Sequence, residues 1–123
     1  MATILLAEDD EAMLNFLVMA LVRAGHEVIS KRDGLEALQE IEQRKDINLL
    51  LTDIVMPGID GIELAQKAVD TRPDIKVMFI TGFAAMAMQS IDKTEEKEKQ
   101  PQLLSKPFHL NDLVKQVEEI LAA

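Results

Sequence analysis

Two rhythms of apolar residues alternate along this chain: short runs of strand length, and longer stretches in which apolar positions recur every three or four residues. Thr3 to Ala7 is a run of the first kind, followed by acids and then by Met13, Phe16, Leu17, Ala20, Leu21 and Ala24 at helical spacing, which predicts strand, loop and helix. Gly25 supplies the stop. Glu27 to Lys31 alternates weakly around Val28 and Ile29, and Leu35, Leu38 and Ile41 then recur at three-residue steps, a second strand and helix. Ile47 to Thr52 is a largely apolar run bounded by charge, as expected of a central parallel strand covered on both faces. Pro57-Gly58-Ile59-Asp60-Gly61 reads as a loop, with Asp60 placed to cap a helix that carries Ile62, Leu64, Ala65, Ala68 and Val69 and ends at Pro73-Asp74. Ile75 to Ile80 predicts a fourth strand and Leu103-Leu104 a short fifth. Leu110, Leu113, Val114, Val117, Ile120 and Leu121 then mark a last helix. Between these, Ala84 to Ser90 combines high helix propensity with a poor amphipathic pattern, and Asp92 to Gln100 reads as a solvated, charged loop.

Strand and helix in alternation give a parallel sheet with right-handed crossovers and helices on both faces, so the expected fold class is doubly wound α/β with five strands. The 123 residues suffice for one core and not for two, and a single domain over 1–123 with no output domain is expected. A formal charge of -9 with no cluster of Lys and Arg speaks against a nucleic-acid surface. Without cysteine there is no disulfide or thiolate chemistry, the start lacks the pattern of a secretory signal, and no apolar run approaches membrane-spanning length. A cytoplasmic protein without membrane insertion is the expectation.

Three segments carry the chemistry: Leu5-Leu6-Ala7-Glu8-Asp9-Asp10, Leu50-Leu51-Thr52-Asp53 and Leu104-Ser105-Lys106-Pro107. Each is an apolar run that ends in charge. In an open parallel sheet ligands sit outside the carboxyl ends of the strands, so the acids would gather around one site with the lysine opposite. Carboxylates beside an ammonium point to a divalent metal and a phosphoryl group. A carboxylate such as Asp53 is a feasible nucleophile toward phosphorus, and the loose phosphoryl transition state asks mainly for alignment and charge neutralisation. Acids after a strand also cap helices, and Asp10 is assigned to that structural role. His26, before an edge strand, and His109, at the start of the last helix, are read as structural, and Met78, Met86 and Met88 as core filler.

Together these residues resemble the receiver domains of two-component response regulators over essentially the whole length, most strongly in Asp53-Ile54-Val55-Met56-Pro57-Gly58-Ile59-Asp60-Gly61. The resemblance implies the flavodoxin-like strand order 2-1-3-4-5. It also implies an acidic pair at Glu8 and Asp9, a phospho-acceptor at Asp53, a switch hydroxyl at Thr81, a backbone amide of Gly82 on the phosphoryl group, and a lysine at Lys106 joined to Pro107 by a cis peptide. Mg²⁺ would be held by Asp9, Asp53 and the Val55 carbonyl, with Glu8 acting through water. Many receivers carry an aromatic switch three residues before the lysine. Here that position is Leu103, and Phe83 is the substitute reporter. Ile4-Leu5-Leu6-Ala7-Glu8-Asp9-Asp10, Phe79-Ile80-Thr81-Gly82-Phe83-Ala84-Ala85 and Leu104-Ser105-Lys106-Pro107-Phe108-His109-Leu110 resemble the CpdR group of alphaproteobacterial single-domain receivers. That likeness implies a histidine phosphotransferase or sensor kinase as phosphodonor and ClpX of the ClpXP protease as partner of the unphosphorylated form. Leu121-Ala122-Ala123 resembles tails recognised by ClpX, against the plainer reading of a helix end. The competing functions are a phosphorelay shuttle, a small Mg²⁺-dependent phosphatase and a nucleotide binder. The phosphatase lacks the acid it needs at Val55, and the nucleotide binder would need a Gly-rich first loop where acids stand.

Overall fold

Leu49, Leu50 and Leu51 put large apolar groups on both sides of one strand, and only a strand sandwiched between two layers can bury them all. All five residues of that strand are buried, and it is the middle one of five. The structure, a computed structural model, describes residues 2–81, 102–105 and 108–122, with the backbone alone at Thr81, Gln102 and Ser105. Its elements are β1 (Thr3–Ala7), α1 (Glu11–Arg23), β2 (Glu27–Lys31), α2 (Gly34–Gln43), β3 (Leu49–Asp53), α3 (Gly61–Thr71), β4 (Lys76–Thr81), β5 (Gln102–Ser105) and α4 (Leu110–Ala122). The sheet is parallel throughout, in the order β2-β1-β3-β4-β5. The fold class is therefore the one read from the chain, and the strand order the one implied by the resemblance. The stretch 84–101 lies outside the described residues.

The two-residue period of the strands divides the core into two layers. Leu5, Ala7, Leu50 and Phe79 pack with Ala37 and Ile41 of α2 and Leu64, Ala65 and Ala68 of α3. Ile4, Leu6, Leu49, Leu51, Met78 and Ile80 point the other way, toward Leu14, Leu17, Ala20 and Leu21 of α1 and Leu113, Val117 and Ile120 of α4. Three large residues of the predicted helical faces, Leu35, Val69 and Phe16, sit elsewhere. Leu35 and Val69 are exposed, because Gly34 and Ala37 in α2 and Leu64, Ala65 and Ala68 in α3 already fill the buried stripes. On α1 the flank bearing Phe16, Met19 and Val22 is also exposed, by 41%, 50% and 53%.

Turn chemistry fixes where helices start and stop. Asp10 accepts the amides of Ala12 and Met13 and so caps α1, the role expected of it from its place before a helical period. Asp33 caps α2 through Leu35 and Glu36, and Asp60 caps α3 through Glu63. At the other end of α1, Gly25 takes φ 97°, its amide bonds the Val22 carbonyl and the His26 amide bonds the Leu21 carbonyl, a left-handed termination that glycine accommodates without strain. His26 is buried there. Its Nδ1 accepts the Ala2 amide at 3.2 Å and its Nε2 lies 2.9 Å from Glu118 Oε1 on α4, so this histidine is structural. His109 is exposed, and its carbonyl accepts the Asp112 and Leu113 amides at the start of α4. Met78 is core, while Met86 and Met88 lie outside the described residues. Among the described residues no helix is long and apolar enough to cross a membrane.

Candidate metal centre at the carboxyl edge of the sheet

β1 and β3 are neighbours in register, with Ala7 opposite Thr52, so the residues after Ala7 meet the residue after Thr52. The chain thereby sets Glu8 and Asp9 beside Asp53, the last residue of β3. One carboxylate oxygen from each lies within 4.8 Å of the other two. Glu8 and Asp53 are buried, 1% and 8% exposed, and Asp9 opens to solvent. Three carboxylates this close, two of them out of bulk water, repel one another unless a cation or donors stand between them. An all-oxygen, carboxylate-rich donor set of this kind suits a hard divalent cation such as Mg²⁺.

Backbone donors hold these side chains in place. Glu8 Oε2 accepts the Asp10 amide at 3.1 Å, and Asp53 Oδ1 accepts the Val55 amide at 3.3 Å. Arg32, from the loop after β2, donates Nε and Nη2 to the Asp9 carbonyl at 3.4 and 3.2 Å and lies 3.8 Å from Glu11. It ties the loop that carries the acidic pair to the one that starts α2.

The loop after β3 is clamped from two sides. The Gly61 amide donates to the Ile54 carbonyl at 2.7 Å, and a Cβ on Gly61 would overlap the Asp53 carbonyl oxygen. Gly34 donates to the Pro57 carbonyl, and a Cβ there would overlap the Ile59 carbonyl, so α2 rests directly on this loop. Beneath it, the buried Thr52 hydroxyl donates to the Asp53 carbonyl at 2.7 Å.

Of the residues picked out in the sequence, the fold brings Glu8, Asp9 and Asp53 together, with Val55 in the adjoining turn and exposed by 54%. Thr81 ends β4 opposite Ser105 of β5, one residue beyond the level of Asp53, which pairs with Ile80. Gly82, Phe83 and Lys106, and with them the peptide bond before Pro107, lie outside the described residues. Leu103 stands opposite Phe79 and packs, partly buried, against the layer under α2 and α3. Leu121 packs against the other layer, Ala122 is the last residue of α4, and Ala123 lies outside the described residues. Thr52, Arg32 and Gly34 carried no signal in the sequence. Each acts through main-chain atoms of remote or turning segments, which residue type alone does not reveal.

The family model for the response regulator receiver domain matches residues 4–118. The chain belongs to this family. As a receiver it is 50% identical, over 123 residues covering all of this chain and 99% of the relative, to the "Response regulator receiver protein CpdR" of Brucella abortus. It is 36% identical over 121 residues to the "Sensor kinase CckA" of the same organism, of which it spans 12%. Among solved structures, the CheY-like receiver domain protein of Methanospirillum hungatei superposes with a TM-score of 0.86 at 31% identity, covering 99% of this chain and 94% of the other. The receiver domain of the hybrid histidine kinase CckA gives 0.82 at 33%, covering 98% and 99%.

Proposed function

We propose that this receiver accepts a phosphoryl group on Asp53 in a Mg²⁺-dependent reaction and that its phosphorylation state selects its partners. The observation that carries the reading is the convergence of Glu8, Asp9 and Asp53 at one edge of the sheet. Asp9, Asp53 and the Val55 carbonyl would hold the ion, with Glu8 acting through water. When bound, Mg²⁺ supplies charge neutralisation for the transferring phosphoryl oxygens. An oxygen of Asp53 forms a bond to phosphorus while the bond to the donor breaks; from a phosphohistidine the leaving imidazole keeps the electron pair and takes up a proton, and Asp53 becomes an acyl phosphate. The Val55 amide on Oδ1 fixes the carboxylate for that attack. By resemblance, Lys106 holds one phosphoryl oxygen, and the Thr81 hydroxyl with the Gly82 amide holds another, with Phe83 and Leu103 as the residues that report the change. Val55 stands where a phosphatase of the related chemistry needs an acid, so the protein serves as a phospho-acceptor rather than a turnover enzyme.

The donor is a histidine phosphotransferase or sensor kinase. The output is that of a CpdR-type single-domain regulator, in which the unphosphorylated form engages ClpX of the ClpXP protease in the cytoplasm. Identity of 50% across the full length of the Brucella abortus relative supports this assignment. The likeness to a sensor kinase's receiver segment favours a second reading, a shuttle that passes phosphoryl groups to or from a histidine phosphotransferase. By resemblance, the Leu121-Ala122-Ala123 segment is a degron through which ClpX would turn this protein over. Leu121 packs on the core, so its use requires the last turn of α4 to open.

Acetyl phosphate with Mg²⁺ is expected to place one phosphoryl group on the wild type and none on Asp53→Asn, read by intact mass. Incorporation into Asp53→Asn at the wild-type level would end the reading. Binding to purified ClpX that is lost on phosphorylation supports the adaptor; rapid back-transfer to a histidine phosphotransferase with no ClpX binding supports the shuttle.

A further inference from the structure

We propose that Thr52 is a positioning residue for the acceptor carboxylate, acting through the main-chain carbonyl of Asp53; the inference rests on the reading of Asp53 as acceptor. Thr52 is 0% exposed and stands level with Ala7 on one side and Phe79 on the other, both in the apolar layer under α2 and α3. A hydroxyl placed there is unfavourable unless it is hydrogen-bonded, and valine would fill the same space without that demand. The hydroxyl has a single proton. It goes to the Asp53 carbonyl at 2.7 Å, while the Met56 sulfur at 3.8 Å is the weaker acceptor.

That carbonyl belongs to the peptide at which β3 ends and the loop begins. Gly61 abuts the same oxygen, and the Gly61 amide holds the next carbonyl, that of Ile54. Two consecutive peptide planes are thus fixed, one by the Thr52 hydroxyl and one by the start of α3. The Asp53 side chain springs from the Cα before the first of them, and its Oδ1 accepts the amide two residues on. The Thr52 hydroxyl, by holding this carbonyl, resists a change of the Asp53 ψ angle, which would carry the Ile54–Val55 peptide and its amide away from that carboxylate. The branched Cβ of threonine restricts its rotamer, so the hydroxyl is held with little freedom to leave its carbonyl.

The test compares wild type, Thr52→Val and Thr52→Ser for Mg²⁺ affinity by calorimetry, for phosphorylation rate from acetyl phosphate and for melting temperature. Thr52→Val is expected to keep its melting temperature within a few degrees while Mg²⁺ affinity and phosphorylation rate fall about three- to tenfold, the range over which one hydrogen bond acts. Thr52→Ser, which keeps the hydroxyl and loses a buried methyl, is expected to melt lower yet recover both functions. Wild-type affinity and rate in Thr52→Val would overturn the proposal, as would equal losses in the valine and serine variants, which mark a packing role. Should Thr52→Val not fold, Thr52→Cys, with a poor donor of similar size, is read by the same criteria. A wild type that neither binds Mg²⁺ nor takes up phosphate removes the acceptor reading itself, an outcome distinct from any difference among the variants.

Discussion

At the scale of single residues, six acids at one end of the sheet have two separate employments. Asp10, Asp33 and Asp60 give their oxygens to helix amides, whereas Glu8, Asp9 and Asp53 bring one carboxylate oxygen each to within 4.8 Å of the others. The proposed metal site predicts a cation-dependent stability. A ligand that binds only the folded state stabilises by RT ln(1 + [L]/Kd), about 1.4 kcal/mol at tenfold excess over Kd, which is a rise of roughly 3–6 °C for a domain of this size. Scanning calorimetry with Mg²⁺ is expected to show such a rise in the wild type and little of it in Asp53→Asn. Asp10→Ala serves as the contrast: loss of the cap lowers stability by about 1 kcal/mol and leaves the Mg²⁺ response intact. The division between the two groups was partly legible. Asp10 could be assigned to α1 because it directly precedes a helical period, and Asp53 to the site because it closes a buried run. Thr52 could not, since a threonine near a strand end looks like an ordinary strand former until the partner of its hydroxyl is located.

At the scale of elements, periodicity located the described strands and helices but misplaced which residues they bury. Leu35 and Val69 look like core in a string of apolar steps, yet small residues at the helix-to-sheet contact leave them outside. The exposed flank of α1 is the element with a functional consequence. Phe16, Met19 and Val22 present large apolar groups to solvent on a helix that starts two residues after Asp9 of the candidate metal centre. Exposed apolar patches of this sort mark protein contacts, and on the proposed reading the protein that reaches Asp53 is the phosphodonor. The double change Phe16→Glu and Met19→Glu is expected to slow transfer from a phosphorylated histidine phosphotransferase at least tenfold, from the loss of roughly 1–2 kcal/mol of apolar burial per side chain. Phosphorylation by acetyl phosphate, which needs no protein contact, is expected to stay at the wild-type rate. Equal slowing with both donors would place the effect in the site rather than in the surface of α1.

At the scale of the whole molecule, the alternation of strand and helix was enough to predict a parallel doubly wound sheet, because right-handed crossovers leave few other arrangements. The strand order came from the resemblance and is the order observed. How the far end of the sheet closes was not legible, since the partners there are 24 and 92 residues apart. His26 takes the Ala2 amide just before β1 on one nitrogen and faces Glu118 of α4 with the other, beneath the layer in which Ile4 and Leu6 meet Val117 and Ile120. The residue before the first strand and the last helix are therefore tied to each other through this one side chain. Hydrogen exchange is expected to report one opening event for Ile4 to Leu6 and for Val114 to Ile120. His26→Ala, by unmaking this tie at a cost of about 1–3 kcal/mol, is expected to speed exchange at both ends together and leave β3 slower than either.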